Sequence, residues 1–244
     1  MKQYEAVIKV MEENGGYATL GFLNQNIFKV IECKWATKTP FASIRRIVQD
    51  ERFFFRIKPG LWALKSYRHK LPPEILPPKN QPKEKQEEYN HAYYQGLLLE
   101  VGNLKKYGTF LPNQDKNKLY IGKKLSEFAS VSNIFNFSYE NIVRTARTID
   151  VIWFNERNMP SNFFEIEHST DMKNSLLKFV ELQDFNSNFH IVANENRKRE
   201  FEDKIKLQAF SPVGKRIKFW SYDNLAELHS KTSEARAIES KLEI

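Results

Sequence analysis

The stretch Ile149-Asp150-Val151-Ile152-Trp153-Phe154, followed after a polar loop by Phe163-Phe164-Glu165-Ile166-Glu167-His168, decides how the rest of the chain is read. Two apolar runs carry three carboxylates. Side chains alternate faces along a strand, so Glu165 and Glu167 share one face and Phe164, Ile166 and His168 the other. If the runs pair as a hairpin across 155–162, Asp150 joins the two glutamates. Converging carboxylates repel unless a cation sits between them, and hard oxygen ligands suit Mg²⁺. A metal-dependent phosphodiesterase site is the expectation.

Outward from that stretch, charge divides the chain. Residues 1–70 hold 13 Lys+Arg against 6 Asp+Glu, a net +7 of the +8 carried by all 244 residues. The asymmetry predicts an N-terminal module facing a polyanion and a second module with another task. The single cysteine, Cys33, excludes an internal disulfide and a multi-thiolate zinc site. No apolar run is long enough to span a bilayer and none reads as a signal peptide. The expectation is a soluble protein of the bacterial or archaeal cytoplasm.

The first module reads as a helix over 4–13, a stop at Gly15-Gly16, a short strand at 17–19, and a helix over 20–30. Thr39 as N-cap and Pro40 at the first helical position open a third helix over 40–49. Phe41, Ile44, Ile47 and Val48 form its inner face. A hairpin over 52–65 turns at Pro59-Gly60. This order resembles a winged helix-turn-helix domain. The resemblance implies contact with duplex DNA: Lys38, Thr39, Ser43, Arg45 and Arg46 toward groove and phosphates, and Arg56 and Lys58 from the wing.

Residues 71–88 hold five of the ten prolines and then a lysine/glutamate run, which marks a linker. The expected domains are therefore 1–70 and 89–244. In the second, a helix over 88–106 carries the stripe Tyr93, Leu97, Val101 and Leu104, with Glu100 at its edge. Strands at 109–112 and 119–121, a short helix over 123–129, and an open assignment at 135–143 follow. After the central hairpin come a helix over 171–185 capped by Thr170 and packed through Leu176, Leu177, Val180 and Leu182, and a strand at 189–193. A charged helix over 196–207 and a strand at 217–222 precede a last helix capped by Asp223, whose final ten residues read as frayed. The fold class is α/β (α+β), with a mixed central sheet flanked by helices.

Asp150, then Glu165-Ile166-Glu167, with Glu100 on the preceding helix, resembles the PD-(D/E)XK nuclease superfamily over residues 90–222. The resemblance implies a restriction-endonuclease-like core that hydrolyses DNA phosphodiesters. Asp150, Glu165 and Glu100 would hold Mg²⁺, with Mn²⁺ as a substitute, and Glu167 would stand where lysine is usual, as proton acceptor or metal ligand. No lysine beside the motif offers itself as the replacement. A type II restriction enzyme acting as a homodimer is the leading expectation. A DNA-binding regulator with an inactive core, and a repair nuclease reading structure or base modification, are the rivals. His168 reads as structural.

Overall fold

The computed structural model describes residues 1–242, and the chain separates into two compact units. One comprises Met1–Gln81 with the chain from Ala226 onward; the other is Pro82–Leu225. The second boundary differs from the expected division, because it falls inside the last helix.

The first unit contains α1 (Gln3–Glu13), β1 (Tyr17–Thr19), α2 (Leu20–Asn26), α3 (Pro40–Ile47), β2 (Phe54–Lys58) and β3 (Leu61–Leu64). Its sheet has the order β1-β3-β2 and is antiparallel throughout, pairing Tyr17 with Ala63 and Phe54 with Leu64. The turn is Pro59-Gly60, where Gly60 takes φ +78°, a conformation that costs glycine little. Val7, Val10 and Met11 of α1, Leu23 of α2, Phe41 and Ile44 of α3, and Phe54 and Leu64 of the sheet pack one core. The sequence periods place these residues correctly. Three details differ. Thr39 makes no side-chain cap, and Ser43 N–H bonds its carbonyl instead. Thr19 is the residue whose hydroxyl caps a helix, accepting from Phe22 N–H at 3.0 Å. The second helix stops at Asn26 and continues only as a 3-10 turn over Ile27–Lys29.

The second unit is built on a mixed five-stranded sheet. In chain order its elements are α4 (Lys83–Leu104), β4 (Gly108–Phe110), β5 (Leu119–Tyr120), β6 (Lys123–Lys124), α5 (Glu140–Ala146), β7 (Val151–Phe154), β8 (Pro160–Glu167), α6 (Lys173–Glu181), β9 (Asn188–Ala193), α7 (Lys198–Ile205) and β10 (Ile217–Ser221). The helix α8 (Tyr222–Lys241) begins at its end. The sheet order is β10-β9-β8-β7-β4. β8, β9 and β10 run parallel, whereas β4, β7 and β8 are antiparallel. The α/β class with helices around one mixed sheet is as the sequence indicates.

Both faces of the sheet are covered. Ile152, Phe154, Phe163, Phe189 and Ile191 pack with Leu176 and Phe179 of α6 and Ala146 of α5. On the other face Trp153 donates from Nε1 to the Leu98 carbonyl of α4 at 3.0 Å. A long run of α4, from Ala92 to Leu99, is buried on every side rather than along one stripe, so the helix is interior. It starts at Lys83, five residues before the expected position, and absorbs the charged end of the linker.

Other expectations need correction. Residues 123–124 form a strand with 119–120, and the remainder of 123–129 makes only a 3-10 turn over Leu125–Glu127. α6 starts at Lys173 with Met172 before it, because the Thr170 hydroxyl is drawn to Glu167 instead of capping. Leu177 is 51% exposed and packs nothing on the sheet. Ser221, not Asp223, caps α8, accepting from Asn224 N–H at 3.1 Å. That helix persists to Lys241 through most of the stretch expected to fray; the end of that stretch, 243–244, lies outside the described residues. No helix among the described residues is long and apolar enough to cross a membrane.

Candidate active site

The hairpin forms as expected, with Val151 opposite Phe164 and Ile152 opposite Phe163. Asp150 stands one residue before β7, and its side chain continues the ladder: Oδ2 accepts from Ile166 N–H at 2.7 Å. This seats Asp150 beside Glu165. Glu165 and Glu167 share a face, and both are almost fully buried, 4% and 5% exposed. Carboxylates at such depth require partners.

The partners come from α6. Lys178 Nζ donates to Glu165 Oε1 and Oε2 at 3.0 and 2.9 Å and to the Thr148 carbonyl at 3.0 Å. Ser175, one turn earlier, places Oγ 2.8 Å from Glu165 Oε2 and also against Glu167 Oε1. A hydroxyl has one proton, so Ser175 can donate to only one of these at a time. The conflict is relieved when Glu165 is itself protonated. Burial first, and then the Asp150 charge, push the Glu165 carboxyl above its usual range, while Lys178 and Ser175 pull it back. Glu167 is further held by the Thr170 hydroxyl, and Arg197 Nη1 stands 3.9 Å from it. Arg197 also donates to the carbonyls of His168 and Thr170 at 2.9 and 2.6 Å, which pins the chain leaving β8.

The helix α4 contributes from the opposite side. His91 Nε2 is 3.3 Å from Asp150 Oδ1. Burial opposes charge on both groups, but their mutual attraction, with the Ile166 N–H, prevails. The Asp150 carboxyl is held below its usual range and the His91 imidazole above its own. His168, in the lining of the same cleft, turns toward Tyr222, its Nδ1 2.7 Å from the phenol oxygen.

The structure thus brings Asp150, Glu165 and Glu167 together and leaves Glu100 elsewhere. The Glu100 carboxylate accepts from Tyr120 O–H at 2.6 Å, nine residues along α4 from His91. Lys178, Ser175, His91 and Arg197 are the site residues that sequence reading missed. The lysine absent beside the motif arrives from the next helix. Its signal was the spacing of Ser175 and Lys178, three apart on a helix that follows the acidic strand directly.

Asp150, Glu165, Glu167, His91, Ser175 and Lys178 line a cleft of about 450 Å³ whose walls carry eight carboxylates (Glu84, Glu87, Glu88, Asp115, Asp150, Glu165, Glu167 and Asp171) and two lysines, Lys118 and Lys178. Such a set attracts cations and repels a phosphate until it is neutralised. The donor chemistry of Asp150 and Glu165 fits a hard divalent ion, and the upward push on Glu165 is what a cation between the two would reverse.

In the first unit, Lys38, Thr39, Arg46 and Arg56 are exposed, whereas Ser43, Arg45 and Lys58 are half-buried. Arg45 pairs with Glu234 at 2.9 Å, and burial pushes the Lys58 ammonium down to about 8.

Comparison with known proteins adds a lineage. Residues 70–243 match the family model described as the type II restriction enzyme NmeDI C-terminal domain. The type II restriction enzyme NmeDI of Neisseria meningitidis serogroup C is 26% identical over 152 residues, which cover 57% of this chain and 42% of that protein. The chain therefore matches less than half the length of that curated relative. No solved structure matches. With the matched region taking in the whole β7–β8 cleft, the chain belongs to the family of the NmeDI restriction enzyme C-terminal domain.

Proposed function

We propose that the protein is a divalent-metal-dependent DNA endonuclease of the restriction type, active on duplex DNA in a bacterial or archaeal cytoplasm. The observation that carries this reading is the convergence of Asp150, Glu165 and Lys178 in one acidic cleft. Family membership and the +7 charge of residues 1–70 support it.

Asp150 and Glu165 would hold Mg²⁺ or Mn²⁺. When bound, the ion offsets charge on the scissile phosphate and lowers the pKa of water. The remaining chemistry belongs to the chain. Lys178 would present an ammonium that orients the attacking water and balances charge developing on phosphate oxygen. It takes the place of the lysine that Glu167 displaces. Glu167, engaged by Ser175 and Thr170, is a positioning residue: it holds Ser175, which holds Glu165. Glu100, bound to Tyr120, has no part in this proposal.

The first unit has the element order of a winged helix. In this reading Lys38, Thr39, Arg46 and Arg56 contact DNA. Ser43, Arg45 and Lys58 act from less exposed positions. Cutting both strands calls for two copies of the cleft, and hence a homodimer.

The test is incubation of the full chain with duplex genomic DNA and Mg²⁺, with fragment ends sequenced. Asp150→Asn and Glu165→Gln are expected to lower cleavage by at least 100-fold with DNA binding retained. Undiminished cutting by either protein would sink the site assignment. Glu167 in the lysine position favours a second reading, a DNA-binding regulator without cleavage; it is selected if wild type binds DNA but never cuts it.

A further inference from the structure

The helix expected to send Glu100 toward the hairpin sends His91 instead, and with it a second set of ligand atoms. One ring nitrogen of His91 and one carboxylate oxygen each from Asp115 and Asp150 all lie within 4.8 Å of one another. Asp115 sits in a 3-10 turn after β4 and is 2% exposed. Gln95, one turn along α4 from His91 and fully buried, donates from Nε2 to Asp115 Oδ2 at 2.7 Å and to the Asp150 carbonyl at 3.2 Å. Its own Oε1 is buried with no hydrogen-bond partner, so the orientation of this amide is set by the cluster it faces. A buried amide that fixes a carboxylate beside an imidazole is the outer layer expected of a metal site.

We propose that His91, Asp115 and Asp150 bind a divalent first-row transition ion, with Mn²⁺ favoured over Mg²⁺, beside the Asp150–Glu165 pair. The inference rests on the nuclease reading for its purpose and shares Asp150 with it. Carboxylate and water suit Mg²⁺ and Mn²⁺ alike, whereas imidazole suits transition ions. One nitrogen among the donors therefore separates this site from the all-oxygen pair. Lys118 Nζ, 2.6 Å from Asp115 Oδ1, supplies positive charge there in the ion-free protein.

The experiment is titration of the full chain with Mn²⁺ in the absence of DNA. Bound ion is counted by electron paramagnetic resonance, and imidazole nitrogen coupling is read from the pulsed spectrum. Wild type should show the coupling. His91→Gln, which keeps an amide donor toward Asp150, should lose it and weaken that ion at least ten-fold. Asp115→Asn should weaken it similarly. His168→Gln, whose ring centroid lies 5.7 Å from that of His91, should keep the coupling. Absence of coupling in wild type, or its survival in His91→Gln, overturns the proposal. Glu165→Gln separates the two ideas. Coupling kept with cleavage lost supports both. Coupling kept with cleavage intact removes the Asp150–Glu165 nuclease assignment and leaves the His91 site standing.

Discussion

Lys178 and Glu165 form an ion pair in which the carboxyl is buried and the ammonium half-buried. Truncating the lysine removes a charge-assisted contact to both carboxyl oxygens, which costs about 2 kcal/mol. Lys178→Ala should lower stability by about that amount. In a Glu165→Gln background the same change should cost about 1 kcal/mol, the share of the alkyl stem. A double-mutant cycle on urea midpoints reads the difference, and simple additivity would contradict the pairing.

His190 makes a second prediction at this scale. It lies against Phe164, ring centroids 4.6 Å apart at 14°, with Trp220 at 4.5 Å on another side, and its Nε2 meets Asn162 Oδ1 at 3.0 Å. Burial pushes its imidazole down to about 3 from 6.5. Between those values the unfolded chain binds more protons than the folded one, so stability falls as pH drops through that window. From pH 7 to pH 5 the loss traceable to His190 should be about 2 kcal/mol, at about 1.4 kcal/mol per unit. His190→Gln keeps an amide for Asn162 and does not titrate. Its unfolding free energy should be flatter with pH by that amount, and equal slopes would discount the buried imidazole.

Among the elements, α4 sets the precision of the second unit. A Cβ at Gly96 would stand 2.2 Å from the Tyr120 ring, and one at Gly102 would stand 2.6 Å from Trp153 Nε1. The helix approaches its neighbours with no side chain between. Helix propensity alone would make Gly96→Ala stabilising by about 1 kcal/mol. Steric overlap with a buried ring should reverse the sign and cost about 2 kcal/mol, measured by chemical denaturation. The same helix shows what sequence could and could not reveal. Its apolar residues announce a helix, but their spacing cannot say that it is enclosed on all sides. With no exposed face to fix the rotation, the sequence does not reveal that His91, and not Glu100, meets Asp150. The hairpin was legible because alternation on a strand fixes the face of Glu165 and Glu167 without reference to anything distant. Lys178 and Ser175 left only their three-residue spacing as a trace, and Arg197 left none, because all three meet the carboxylates only through tertiary packing. The misplaced caps share one cause. Thr170 and Asp223 each had the right chemistry, but in one case a carboxylate competed for the hydroxyl, and in the other a serine two positions earlier met the N–H first.

For the molecule as a whole, charge is unevenly distributed. Residues 1–70 carry a net +7, while the cleft of the second unit is dense with carboxylates. Affinity for DNA should therefore reside in the first unit and fall steeply with salt. Lys38→Ala and Arg46→Ala should each reduce the slope of log affinity against log salt by about 1. Fluorescence anisotropy on a fixed duplex measures this, and an unchanged slope in both would move the interface elsewhere.

Asp150 serves two masters: one oxygen stitches the end of the hairpin through the Ile166 amide, while the other faces the cleft. If the proposed activity holds, a descendant that gave up cutting DNA would still need that stitch to keep its central strands in register. Persistence of this aspartate across relatives is thus a poor witness to activity, since folding alone would preserve it. Lys178 stitches no strand pair; its backbone contact is with the Thr148 carbonyl, ahead of β7. Its loss, with Asp150 left in place, is the signature by which a lineage that has abandoned catalysis would be recognised.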